Sequence, residues 1–295
     1  MIFDFIFKKN ENIDYFFCKN LNPKYYKKYL MKLYEEKMGY SFNLNKPKTL
    51  NELIQFLKLY DTTEIKEFLT DKTNINSYFE EKIGSSKLIK EVYKIYDSID
   101  EINYDELPDK FIIKQNNSCR ANFPVLNKKN INIKIDTYIK EFFRNSSNIN
   151  FAFVNGFELQ YKNIKPKIIV ERLYPKVTEI QILCSYGRPL LISFLDTKNH
   201  IYDKIFNFDS SGKIIGNIPV NCDIYNLLDI SKVLSKEFNL IRIDFMIVNG
   251  EYPFFQEFTF TPYSGFASEQ IIEFNSKEFA GFCNSIVKDT KKIAK

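Results

Sequence analysis

Arg242, Asp244 and Glu257 lie inside runs that otherwise have the texture of buried strand, LIRIDFMIVNGEYPFFQEFTF, residues 240–260. Two carboxylates beside a guanidinium suit a divalent cation and a phosphate. Mg²⁺ takes hard oxygen ligands, commonly one or two carboxylates plus phosphate oxygens. Whether the three share a face depends on the turn. Asn249-Gly250 predicts a two-residue type I′ hairpin, because both central residues need positive φ. Val248 then pairs with Glu251, Arg242 falls opposite Glu257, and Asp244 opposite Phe255. Side chains alternate across a strand, so Arg242, Asp244, Glu257 and Thr259 share one face. Ile241, Ile243, Phe245 and Ile247 share the other, with Phe254, Phe258 and Phe260. The carboxylates are then separated by a diagonal step of roughly 7–8 Å. A four-residue loop would set Asp244 directly opposite Glu257 and keep the shared face; a three-residue loop would break it. A solvated sheet face with an Arg–Glu cross-strand pair explains the same residues without a metal.

Composition removes several other chemistries. The only histidine, His200, sits in the polar stretch DTKNHIYDK, so His-dependent catalysis and His-ligated metal are poorly supported. The five cysteines are odd in number, widely spaced and without a C-x-x-C, which favours reduced thiols over a disulfide framework or zinc site. Net charge is +5, with lysines dispersed and no basic stripe interleaved with aromatics, so no nucleic-acid partner is expected. No apolar run approaches the ~20 residues of a membrane span. The start, MIFDFIFKKN, lacks the basic region and cleavage site of a signal peptide. The expected location is the cytoplasm, with peripheral contact at the inner membrane face left open. Glycine is scarce, 9 in 295 residues.

The elements that must hold the hairpin follow from periodicity. Residues 23–100 are mainly helical. PKYYKKYLMKLYEEKMGY has helical spacing and a glycine stop, TLNELIQFLKLYD opens on a Thr49-x-x-Glu52 cap, and TEIKEFLTDKTNINSYFEEKIG continues the helical pattern to Gly84. KFIIK (110–114) and FPVLN form a hairpin around the polar turn QNNSCRAN (115–122). A helix is predicted over 133–145, a strand over 165–174, a hairpin over 178–196 and a helix over 226–238. A helical tail is predicted over roughly 268–290. Helices followed by strands mixed with helices predict an α+β protein.

The order RID (242–244), EFT (257–259) and TPYSG (261–265) resembles the late hairpin of the ATP-grasp enzymes. More narrowly, KMGYSFNLNKPKTLNELIQFLKLYD, GFELQYKNIKPKIIVERLY and RIDFMIVNGEYPFFQEFTFTPYSGF, with TDK and KFIIK, resemble the TupA-like ATP-grasp family of surface-polysaccharide and teichuronopeptide loci. The resemblance runs from about residue 25 to 268. It implies an α+β ATP-grasp fold: a mainly helical N-terminal region (1–100), a central subdomain (101–172) and a C-terminal subdomain with the metal-binding hairpin (173–295), the last two gripping a nucleotide. It implies ATP and Mg²⁺ as cofactors. Lys72 and Lys114 would reach the phosphates, and Glu171 and Leu173 would lie at the adenine hinge. Glu179 would hold the ribose, and Asp244, Glu257 and Thr259 the metal. Arg242 would neutralise the transferring phosphoryl group. Thr259 stands where the superfamily has asparagine. The loop after Lys114 lacks the family's glycines. Asn116, Asn117 and Asn122 tolerate positive φ, and Arg120 adds charge there.

The implied activity is ATP-dependent ligation of a carboxylate to an amine through an acyl phosphate. The resemblance puts the carboxylate on a uronic or amino acid of a capsular or other surface polysaccharide. Other enzymes of polysaccharide assembly are the expected partners. Two rivals stand beside it: a glycosyltransferase using the acids to hold a sugar nucleotide, and a non-catalytic nucleotide-binding or scaffold member of the same pathway.

Overall fold

The computed structural model describes residues 18–118, 121–154, 156–196, 201–206, 214–215, 220–267 and 276–293. The chain divides into two compact units interleaved in sequence. One comprises residues up to Phe68, Ile149–Ile164 and the chain from Thr261; the other comprises Leu69–Asn148 and Lys165–Phe260.

The first unit is helical. Helix α1 (Tyr26–Met38) ends where Gly39 turns left-handed, φ 79°. Helix α2 (Leu50–Tyr60) begins at the expected cap: Thr49 Oγ1 accepts the Glu52 N–H at 3.2 Å, while the Glu52 carboxylate reaches back to the Lys48 N–H at 2.7 Å. The polar side chains Asn51 and Gln55 of α2 are buried and serve the strap 261–267. Asn51 exchanges two hydrogen bonds with the Ala267 backbone, and Gln55 Nε2 donates to the Gly265 carbonyl at 2.8 Å. They steady an unusual turn, in which Tyr263 (φ 53°) and Ser264 (φ 52°) precede Gly265 (φ 66°) in left-handed backbone. Helix α3 (Glu64–Thr70) straddles the boundary between the units, and α7 (Ser276–Ile293) closes the chain. The helical pattern of residues 63–84 breaks into two helices. Asp71 Oδ1 accepts from both the backbone N–H and the hydroxyl of Thr73, at 2.9 and 2.8 Å, and this local competition opens a turn at Lys72.

The second unit begins with α4 (Ile75–Ile83) and holds two antiparallel sheets. The first contains β1 (Val92–Tyr96), β2 (Phe111–Gln115), β3 (Asn122–Val125) and β4 (Ile168–Arg172), ordered β1-β4-β2-β3, with α5 (Ile133–Ser147) against β2. The second contains β5 (Val177–Ser185), β6 (Arg188–Asp196), β7 (Ile201–Phe206), β8 (Ile241–Val248) and β9 (Tyr252–Thr259), ordered β7-β6-β5-β8-β9. Strand β7 was not expected from sequence. One face of the second sheet is the core. Ile180, Ile182, Ile243, Phe245, Phe255 and Phe258 pack there against α4 and α6 (Ile224–Leu234). The other face carries the buried polar side chains Gln181, Ser193, Arg242 and Asp244.

Candidate active site

The hairpin reaches the expected face by a different route. The loop between β8 and β9 has three residues, because Val248 pairs with Tyr252 and not with Glu251. Asn249 and Gly250 do have positive φ, 53° and 77°. A three-residue loop alone would turn Glu257 away from Asp244. A β-bulge restores it: the register shifts between Asp244 and Phe245, so Phe245 faces Phe255 while Asp244 faces Glu257. One extra residue, Gln256, compensates for the odd loop. Arg242 lies opposite Thr259, not Glu257. Two further assignments change with it: Phe255 enters the core, and Phe254 leaves it to pack on Tyr174 with ring centroids 4.8 Å apart.

Asp244 is fully buried and accepts a two-pronged guanidinium contact from Arg242, Nε to Oδ1 at 2.7 Å and Nη2 to Oδ2 at 2.6 Å. The same Nη2 donates to Thr259 Oγ1 at 3.2 Å. On β5, Gln181 lies opposite Asp244 and Glu179 opposite Met246, so Glu179 joins this face two residues along. Burial raises the Glu179 carboxyl to about 7, with the Asp244 and Glu257 charges adding to burial and Arg242 opposing it. Burial likewise raises Asp244 to about 6, Arg242 opposing and Glu257 adding. Glu257 goes the other way. Burial pushes up, but Lys72, Arg242 and Lys90 outweigh it and lower its pKa.

Lysines approach from the preceding elements. The Lys72 ammonium lies 3.4 Å from Glu257 and donates to the Ser118 carbonyl at 2.9 Å. Lys114, on β2, forms an ion pair with Glu171 on β4, and Lys90 lies 3.4 Å from the same Glu171 oxygen. Burial alone would raise Glu171; the two ammoniums override it and hold the carboxyl at about 2. Leu173 is half-buried just past the end of β4. Lys90 was not among the residues singled out from sequence. It is one of several lysines in SSKLIKEVYK, and only the pairing of β1 with β4 reveals its neighbour.

The loop after β2 also differs from expectation. Neither Asn116, Asn117 nor Asn122 has positive φ. Asn116 is fully buried and its side chain is consumed within the protein. Nδ2 donates to Asp71 Oδ1 at 2.9 Å and to the Lys165 carbonyl at 3.0 Å, and Oδ1 accepts the Lys167 N–H at 2.7 Å. Its carbonyl accepts the Lys72 N–H at 3.3 Å. Asn116 therefore fixes the Lys72 turn against the end of β2. Arg120 lies outside the described residues, as does His200.

The donor set fits Mg²⁺. Two carboxylates face each other in register with a hydroxyl alongside, and burial and mutual repulsion raise two of the three acids on this face. A cation would relieve that repulsion. Among the described residues no cluster of three or more acidic, histidine or cysteine side chains forms a ready-made cage. That is the situation in which Mg²⁺ takes its remaining ligands from phosphate and water.

Solved structures are similar to this chain. An L-amino acid ligase from Bacillus licheniformis superposes with a TM-score of 0.50 at 11% identity, over 92% of this chain and 62% of that one. A D-alanine–D-alanine ligase from Bacillus anthracis, solved with ATP, gives 0.45 at 15% identity, over 77% of this chain and 66% of that one. The chain thus spans about two thirds of the length of these ligases. None of the curated proteins matches the sequence. The fold is that of the ATP-grasp class. The family model described as TupA-like ATPgrasp matches residues 52–277, and the chain belongs to that family.

Proposed function

We propose that this protein is an ATP-dependent carboxylate–amine ligase that works through an acyl phosphate. The observation that carries this reading is the charge arrangement of one sheet face. Glu179, Asp244 and Glu257 lie on three adjacent strands, with Lys72, Lys90 and Arg242 among them. Mg²⁺ held by Asp244, Glu257 and Thr259 would supply charge neutralisation on the nucleotide phosphates. The chain's own residues do the rest. Lys72 and Lys114 offer ammoniums to phosphate oxygens, the backbone at Leu173, beside Glu171, meets the adenine, and Glu179 accepts from the ribose hydroxyls. Arg242 turns from Asp244 toward the phosphoryl group as it transfers. An oxygen of the substrate carboxylate attacks the γ-phosphorus and ADP leaves. The amine nitrogen then attacks the acyl carbon, phosphate departs with the bonding pair, and the amine loses a proton. Such a reaction depends on positioning and electrostatic stabilisation.

The family resemblance supports a uronic or amino acid of a surface polysaccharide as the carboxylate, and a site of action at the cytoplasmic side. Among the described residues no helix is long and apolar enough to cross a membrane. The test is thermal unfolding with Mg²⁺ and a non-hydrolysable ATP analogue, beside Glu257→Gln. At 100 times its dissociation constant the analogue should stabilise the protein by about 2.7 kcal/mol, and the variant should lose that shift. A shift with a UDP- or GDP-sugar in place of ATP would instead identify a transferase.

A further inference from the structure

Glu171 is held from both sides of its strand. β4 lies between β1 and β2. Lys114 reaches it from β2, and Lys90 from the residues that lead into β1. Both ammoniums address the same oxygen, Glu171 Oε1. The approach of Lys90 is built into the backbone. The Phe255 N–H donates to the Leu88 carbonyl at 2.7 Å, and Ile89 forms a bridge with Phe255, beside the bulge that orients Glu257. The Lys90 and Glu171 side chains are 6% and 7% exposed, whereas the Lys114 side chain retains 17%.

Glu171 needs one counter-charge, and Lys114 already supplies it; Glu257, the other carboxylate that Lys90 faces, is already paired with Lys72. Burying a second ammonium is costly unless its charge is used. The arrangement makes sense if Lys114, the more exposed of the two, is drawn away by an arriving anion.

We propose that Lys90 is a positioning residue that keeps Glu171 neutralised, so that Lys114 can transfer from Glu171 to a phosphate of the bound nucleotide. This rests on the reading above that the site takes Mg²⁺ and ATP. Without Lys90, moving Lys114 would strand a buried carboxylate. Lys114 then stays on Glu171, and the nucleotide loses a phosphate contact.

The test is a double-mutant cycle on the full chain. Wild type, Lys90→Met, Lys90→Arg, Glu171→Gln and the Lys90→Met/Glu171→Gln double variant are titrated calorimetrically with the Mg²⁺ complex of a non-hydrolysable ATP analogue. Each is also melted without nucleotide. Lys90→Met should weaken binding by about tenfold, within the range of couplings between groups of one charge network, and Lys90→Arg should restore most of it. With the Glu171 charge removed, Lys90 becomes dispensable, so the double variant should bind within about threefold of Glu171→Gln alone. A Lys90→Met protein that melts earlier but binds normally overturns the proposal, as does an equal loss in both backgrounds. A wild type that binds no analogue overturns the ATP reading itself, and this proposal with it. Should Lys90→Met not fold, Lys90→Gln in the same two backgrounds gives the same comparison.

Discussion

Asp244 and Glu179 hold their protons further up the pH scale than ordinary carboxyls because Asp244 is buried and Glu179 half-buried, each beside other acids. The sign of the consequence is fixed. Their folded pKa values, about 6 and about 7, exceed unfolded values of about 4. The folded state therefore binds more protons across that interval. Their contribution to stability is complete below pH ~4 and is lost as pH rises through the folded values. Metal-free protein should lose stability between pH 4 and 7 in proportion, and Asp244→Asn should flatten the curve, measured by urea unfolding across pH. The same substitution and Glu257→Gln should abolish ADP formation, with circular dichroism unchanged. Lys58, in the first unit, shows the opposite sign. It is fully buried above the Phe266 ring at 4.7 Å, and its ammonium has no hydrogen-bond partner among the described residues. Burial lowers it to about 7, with Glu158 opposing the shift. The folded state binds fewer protons than the unfolded one above pH 7, so stability should rise from there toward pH ~10.4. Lys58→Met should remove that slope and raise the melting temperature at neutral pH, because an apolar side chain no longer buries a charge.

Among elements, the hairpin shows how a right face can come from a wrong register. Alternation combined with a two-residue turn marked Arg242, Asp244, Glu257 and Thr259 as neighbours on one face, and they are. The two-residue turn expected from Asn249-Gly250 is three residues long, and the bulge at Gln256 cancels the error. A bulge has no strong sequence signature, since any residue can occupy it. The loop after β2 carries the complementary lesson. Asparagines were expected to replace glycine for their tolerance of positive φ; Asn116 instead serves through its amide, as a staple between Asp71, Lys165 and Lys167. Asn116→Ala would remove all three of these part-buried hydrogen bonds. It should cost about 2–3 kcal/mol in urea unfolding. Because the Lys72 turn leans on it, it should also weaken binding of the ATP analogue.

At the scale of the whole molecule, nearly all the candidate chemistry lies in one of the two units, Leu69–Asn148 with Lys165–Phe260. Lys72, Lys90, Lys114, Glu171, Glu179, Arg242, Asp244, Glu257 and Thr259 all fall within it. Binding of the Mg²⁺–ATP analogue should therefore slow amide exchange chiefly in that unit, most at β8, β9 and residues 71–72 and 114–118. Hydrogen-exchange mass spectrometry reads this directly. Protection concentrated instead in the helical unit would contradict the placement of the nucleotide.

Sequence alone determined the parts whose causes are local. Helix α2 starts at Thr49 because a cap needs only its own first turn, α1 stops at Gly39 because left-handed backbone favours glycine, and the strand alternation of Arg242 and Asp244 has a period of two residues. The types of residue on that face are likewise read from sequence alone, and the proposed chemistry rests on them. Tertiary structure decided which charges meet. Lys90 and Glu171 are 81 residues apart and are joined by the pairing of β1 with β4, and Lys72 finds Glu257 across 185 positions. The register that sets Asp244 against Glu257 turns on a single residue, and a one-residue shift in an antiparallel pair sends every side chain beyond it to the opposite face.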